Sequence, residues 1–260
     1  MTALRGKHVL ITGGSQGIGL ATAAACRGRG ARVSVVARDP ARLAQAQSMI
    51  EGLAVASADV TDPGTLQQAI RDLEVTHGPC DVIVTAAGAA EPGYVQDLGA
   101  QVYRRHVELN QMGTIHAVSA VLPGMLERGE GHVVLVSSVV GLIGVFGYAA
   151  YAPTKFAVRG YGLALDAEVR DRGVRVSIAY PPDTRTPGFE RENLTKPVET
   201  QRVSGAVRPI APERMANAIA RGIERNRLHV TADRQTAAMA ALLDLPGPAL
   251  RAFMRRSARG

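Results

Sequence analysis

A phenol and an ammonium group four residues apart, Tyr151 and Lys155, are the side chains of this sequence best suited to moving a proton. On a helix that spacing projects both from one face. A free tyrosine titrates near ~10 and is a poor acid or base at neutral pH; a cation held beside it favours the phenolate and brings it nearer the working range. Tyr148 does not repeat the arrangement, because the residue four places on is Ala152. Pro153 falls in the first turn of the expected helix, where a missing N–H costs little.

A second set of residues could hold a nucleotide. Thr12-Gly13-Gly14-Ser15-Gln16-Gly17-Ile18-Gly19 follows an apolar run and opens a helical one. Glycines there allow a tight turn and close approach of a pyrophosphate, which then sits on the positive end of the helix. The next apolar run ends Val35-Val36-Ala37-Arg38-Asp39, with Arg42 four residues beyond Arg38. An acid near this point holds a free ribose 2′-hydroxyl, and an arginine accommodates a 2′-phosphate. If Pro40 starts a helix, the two guanidiniums can converge on one phosphate. NADP(H) is therefore expected over NAD(H).

These groups need a scaffold, and the hydrophobic pattern supplies one. His8–Thr12, Arg32–Ala37, Leu53–Asp59, Asp81–Ala86, His132–Ser137, Arg175–Tyr180 and Leu228–Ala232 read as strands. Gly17–Gly28, Pro40–Glu51, Gly64–Thr76, Ala100–Glu127 and Ala152–Arg172 read as helices between them. Short buried strands alternating with helices predict an α/β fold: a single Rossmann-type, doubly wound parallel sheet flanked by helices. One domain over residues 1–260 is expected. The pattern loosens after Arg185, which suggests a substrate loop or lid over 185–227, and 235–259 forms an amphipathic C-terminal segment.

Composition bounds the remaining classes. The 260 residues are 46% hydrophobic, enough for a sizeable core. Cys26 and Cys80 lie in apolar segments without CxxC spacing, so buried reduced thiols are expected rather than a disulfide or metal site. No apolar stretch reaches the ~20 residues of a spanning helix, and the N-terminus lacks a signal pattern. A cytoplasmic protein follows. Residues 1–184 carry 16 basic and 16 acidic side chains, so the net charge of +7 lies wholly in residues 185–260, with 14 and 7. This is either a solvated surface or a contact with anionic lipid or another acidic partner; no nucleic-acid role is expected. Pro246 and Pro248 break the C-terminal segment into two short amphipathic pieces. These either lie peripherally in a membrane interface or pack on the domain or an oligomer partner.

Taken together, the glycine-rich turn, Asn110 in Asn-Gln-Met-Gly, Ser138 at a strand end, and Tyr151 with Lys155 resemble the short-chain dehydrogenase/reductase family. The likeness covers the whole chain. Over Ala179–Thr200, with Tyr180-Pro181-Pro182-Asp183-Thr184-Arg185-Thr186-Pro187-Gly188-Phe189, it is specific to that family's 3-ketodihydrosphingosine (3-dehydrosphinganine) reductase branch. The resemblance implies that Tyr151 protonates a carbonyl oxygen oriented by Ser138 while hydride arrives from the nicotinamide. It implies that Lys155 holds the nicotinamide ribose and that Asn110 positions a water feeding protons to Lys155. Asp59-Val60 would contact adenine, Gly88 would line the cofactor, and Thr184 and Thr186 would meet the carboxamide. Thr85 stands where the family usually has Asn. The implied activity is NADPH-dependent reduction of a long-chain 2-amino-3-ketone lipid in sphingolipid biosynthesis, by a homodimer or homotetramer pairing through Ala100–Glu127 and Ala152–Arg172. The alternatives are reduction of another apolar ketone (a 3-ketoacyl thioester, steroid or fatty aldehyde) or a non-catalytic nucleotide-binding regulator. Asp183, Glu190, Glu192 and Glu199 are the candidates to meet the substrate ammonium.

Overall fold

A computed structural model describes residues 2–205, 208–247 and 250. Seven parallel strands form one sheet in the order β3-β2-β1-β4-β5-β6-β7. They are β1 (His8–Thr12), β2 (Arg32–Ala37), β3 (Ala54–Ser57), β4 (Val82–Thr85), β5 (Gly131–Val136), β6 (Val174–Ala179) and β7 (His229–Val230). Alternate side chains leave opposite faces, and both faces are covered, as parallel sheets require. Val9, Ile11, Val33, Val35, Val82 and Val84 join one core cluster, to which Ala23 and Cys26 of α1 (Gly17–Arg27) belong. Leu10, Ile83, Val133 and Leu135 join the other, with side chains from α3 (Pro63–His77), α5 (Gly113–Arg128) and α6 (Ala152–Val169).

Between β1 and β4 the winding reverses direction, which opens a crevice at the carboxyl ends of those strands. Most of the residues expected to do chemistry line that crevice. α2 (Pro40–Met49) begins there with Asp39 as its N-cap.

Two sequence expectations need correction. The helix expected over Ala100–Glu127 is α4 (Ala100–His106), then a π-helical stretch Val107–Met112, then α5. The wider turn places Asn110 wholly inside the protein. The lid expected over 185–227 contains three helices: α7 (Pro187–Asn193), α8 (Val198–Gly205) and α9 (Pro212–Glu224). α9 is no lid, because Met215, Ile219 and Ile223 are fully buried in the cluster that contains α1 side chains. α10 (Arg234–Leu243) follows β7 and starts the C-terminal segment; Pro248, Arg251, Phe253, Met254, Arg255, Arg256 and Arg259 of that segment lie outside the described residues. No described helix is long and apolar enough to cross a membrane.

Candidate active site

The crevice is a cavity of about 460 Å³. Gly13, Ser15, Gln16, Gly17, Ile18 and Gly19 form one end, and Gly88, from the loop after β4, faces them. The fit is set by backbone. Gly13 has φ +68°, and a Cβ there would lie 2.7 Å from the Ala87 backbone. A Cβ on Gly19 would lie closer still to the Gly13 carbonyl oxygen, so the turn closes on its own helix start with no space for a side chain.

Arg38 and Arg42 line the same end, both substantially exposed. Arg42 donates to Gln16 Oε1 at 3.0 Å and pairs with Asp39 at 3.2 Å. The Asp39 carboxylate accepts from the N–H groups of Ala41 and Arg42, so it caps α2 and neutralises Arg42 instead of reaching for a ribose hydroxyl. Val60 lines the cavity. Asp59 does not: it accepts from Thr61 and stands 3.4 Å from Arg38, holding that arginine at the rim. These contacts, together with hydrogen bonding, keep its carboxyl below the usual range despite partial burial.

At the other end, Ser138, Tyr151 and Lys155 share the cavity wall. Ser138 follows β5, and Tyr151 is the N-cap residue of α6, so strand end and helix start bring them together. Lys155 Nζ is 5.6 Å from the centre of the Tyr151 ring and donates to the Val136 carbonyl at 3.0 Å. Burial lowers its pKa to about 8. The sequence expectation that a cation brings the Tyr151 phenol down is not what dominates here. Burial pushes the phenol up first, Glu192 and then Asp183 push the same way, and a hydrogen bond with Ser138 pulls it back.

Asn110 does not line the cavity; its side-chain oxygen accepts from Ala89 N–H, and its amide nitrogen donates to Ala89 C=O and Thr154 Oγ1. A Cβ on Gly88 would sit 2.9 Å from Asn110 Oδ1 and 3.5 Å from Lys155 Nζ, so Asn110 braces the Gly88–Ala89 backbone directly behind the lysine.

Thr184 and Thr186 also line the cavity. Thr184 donates to Pro182 C=O at 2.7 Å, and Thr186 caps α7 by accepting from Phe189 N–H, its own hydroxyl hydrogen remaining available. The sequence reading missed a latch beyond them. Tyr148, set aside for want of a lysine, donates to Glu192 Oε1, and Lys196 pairs with that oxygen at 3.1 Å while lying 4.1 Å over the Phe189 ring. A lysine four residues after a glutamate was the available signal. A second, mostly apolar cavity of about 630 Å³ lies on the other side of Tyr148, walled by Tyr94, Val95, Val145, Phe146 and Phe156.

Residues 7–197 match the short chain dehydrogenase family. Among curated proteins, the chain is 41% identical to a 3-ketodihydrosphingosine reductase of Bos taurus, over 84% of this chain and 68% of that protein. It is 39% identical to a 3-dehydrosphinganine reductase of Danio rerio, over 83% and 68% respectively. Among solved structures, a variant of actinorhodin polyketide ketoreductase with NADPH superposes with a TM-score of 0.80 at 26% identity, covering 89% of this chain and 97% of that one.

Proposed function

The chain belongs to the short chain dehydrogenase family, and on that premise we propose that it reduces the ketone of 3-ketosphinganine to the alcohol of sphinganine, with NADPH as reductant. One observation carries this reading: Ser138, Tyr151 and Lys155 stand on the wall of the cavity whose far end is the glycine turn with Arg38 and Arg42. The side chains present fit a dinucleotide carrying a 2′-phosphate. The turn has room for nothing bulkier than backbone against a pyrophosphate, two guanidiniums flank the adenosine end, and the two nearby acids are engaged with protein, Asp39 as a helix cap and Asp59 with Thr61 and Arg38. Bound there, the reduced nicotinamide supplies the hydride.

The protein's own part is protonation and orientation. Ser138 and the Tyr151 hydroxyl hold the carbonyl oxygen, and Tyr151 gives it the proton as charge develops there. Burial and the two nearby acids raise the proton affinity of the phenol, which favours the protonated, donating form of Tyr151. Lys155, cationic below about pH 8, offsets the phenolate left behind. Thr184 and Thr186 close the nicotinamide end under α7. The apolar cavity beyond Tyr148 suits the alkyl tail, consistent with the reductases of ketodihydrosphingosine among the relatives.

The same reading treats the chain as one functional unit whose lid is α7 and α8. It has copies pairing through α5 and α6, and the exposed Leu242, Leu243 and Leu245 touch a membrane surface from the cytoplasmic side. Light scattering reports the first of these contacts, and liposome flotation with a truncation before Pro246 reports the second. The deciding experiment follows NADPH oxidation with 3-ketosphinganine, a 3-ketoacyl thioester and a short β-ketoester. A kcat/KM highest for 3-ketosphinganine is expected; turnover of the other ketones alone would replace this substrate with another apolar one.

A further inference from the structure

Hydride and proton transfer leave two carboxylates beside the reaction centre without a task. Asp183 and Glu192 line the cavity with Tyr151, and both raise the proton affinity of its hydroxyl. The other two candidate acids do not line the cavity: Glu190 is exposed, and Glu199 is exposed and accepts from Tyr94 at 3.0 Å. The two inward acids differ. Glu192 already has a cation, Lys196, and a donor, Tyr148. The half-buried Asp183 carboxylate has no hydrogen bond or ion pair among the described residues. An anion held in a protein cleft without a partner is costly, and the cost is removed when a cation arrives.

The substrate class of the preceding section carries such a cation. In a 2-amino-3-ketone the ammonium nitrogen is bonded to the carbon next to the carbonyl, so standard bond lengths keep it within roughly 3 to 4 Å of the carbonyl oxygen. Once Tyr151 and Ser138 hold that oxygen, the ammonium has to fall within a few ångströms of the phenol, inside the field of these two acids. Resting on the proposed function, we propose that Asp183, supported by Glu192, receives the substrate ammonium and makes the site selective for 2-amino ketones. Lys196 keeps Glu192 from over-charging the pocket, leaving about one negative charge for one positive headgroup.

A consequence separates this role from simple anchoring. The arriving ammonium cancels part of the field that holds the proton on Tyr151, which eases proton transfer to the ketone. The amine therefore assists its own substrate's reduction, and its effect extends to kcat as well as KM.

The test compares 3-ketosphinganine with the same long-chain ketone bearing hydrogen in place of the amine, using NADPH and the full chain. Wild type should prefer the amino ketone in kcat/KM by roughly 10- to 100-fold, the range for a hydrogen bond to a charged group. Asp183→Asn should collapse that preference towards unity, and Glu192→Gln should reduce it less, because Lys196 shares its charge. An unchanged preference in Asp183→Asn overturns the inference. If that variant fails to fold, equal wild-type rates on the two ketones overturn it instead, and a preference of tenfold or more, lowered in Glu192→Gln, upholds it. The two proposals fail differently. No wild-type turnover of 3-ketosphinganine sinks the substrate reading, whereas turnover indifferent to the amine and to Asp183 sinks this inference alone.

Discussion

The glycine turn after β1 and the lid after β6 border one cavity and are held in opposite ways. The turn is fixed by backbone against backbone: Gly13 against Ala87, Gly19 against Gly13 itself. The lid is fixed mainly by side chains, Tyr148 and Lys196 on Glu192, Tyr94 on Glu199 and Thr200 on the Phe146 carbonyl, with a short backbone bridge between Thr184 and Ile210. Leu194, Val198 and Val203 on its helices remain exposed, so little apolar burial supports it. A backbone-built site recognises a part shared by many ligands and tolerates almost no change. A side-chain latch can be rewritten residue by residue to suit one substrate. Substitutions in the turn should therefore damage cofactor use outright, and substitutions in the lid should be graded and confined to the ketone.

The largest effect is expected where the two regions meet. Tyr151→Phe removes the proposed proton donor while keeping the ring that packs 5.9 Å from Tyr148, so kcat should fall by roughly 10³-fold. A much smaller loss, read by NADPH oxidation, would mean that the proton comes from elsewhere. Next comes the turn. Gly19→Ala forces a methyl onto the Gly13 carbonyl oxygen, and the backbone shift that relieves it should weaken NADPH binding by roughly 10²-fold, at about 1–3 kcal/mol of strain. A titration of cofactor fluorescence checks it. If Gly19→Ala instead raised only the ketone KM, the contrast between the two regions would be broken.

On the lid, Lys196→Met leaves Glu192 with a hydroxyl donor and no cation. The ketone KM should rise about tenfold while the KM for NADPH moves far less, because breaking a buried pair unlatches a segment that can open without the sheet. Equal changes in both constants would show that lid and turn are one mechanical unit.

Lys155 gives a smaller, pH-dependent effect. Its folded pKa is about 8, below the ordinary lysine value of 10.5. With a ketone lacking an amine, kcat/KM should be level below pH 7 and fall above about pH 8 as the cation is lost, up to tenfold per pH unit. The stability contribution runs the other way: between about pH 8 and 10.5 the unfolded chain binds the extra proton, so the penalty of burying this lysine diminishes as pH rises through that window. Opposite slopes of activity and thermal stability over the same window identify Lys155 as the group responsible.

What the sequence made legible follows the same divide. The glycine turn and Arg38 follow strand ends and the Tyr151–Lys155 spacing is local, while the joining of Ser138 to that pair is what the family resemblance implied. The lid helices are seven and eight residues long with exposed apolar side chains, so they carry no core-facing period to read. α9 does carry one, Met215, Ile219 and Ile223 at four-residue steps, set between stretches without a period. The π-helical stretch Val107–Met112 around Asn110 carries no hydrophobic period that sets it apart from the α-helix on either side. Tyr148 was illegible for a different reason: its partner, Glu192, is 44 residues away.

Thr85 tests whether even the backbone-built region is fully optimised. It closes β4 beside the turn, and its hydroxyl is buried with no hydrogen-bond partner among the described residues, while its neighbour Thr12 accepts from Ala87 N–H at 3.5 Å. A buried hydroxyl left unpaired costs about 1–3 kcal/mol, and replacing it by a methyl of similar shape recovers part of that. Thr85→Val should accordingly raise Tm by about 2–4 °C. Its effect on NADPH binding should be slight, because the cradle is made of main chain that this side chain does not hold. A fall in Tm would mean that the hydroxyl does pair within the folded protein. A large loss of NADPH affinity would mean that the turn depends on side chains as the lid does, and the division between the two regions would fail at its firmest point.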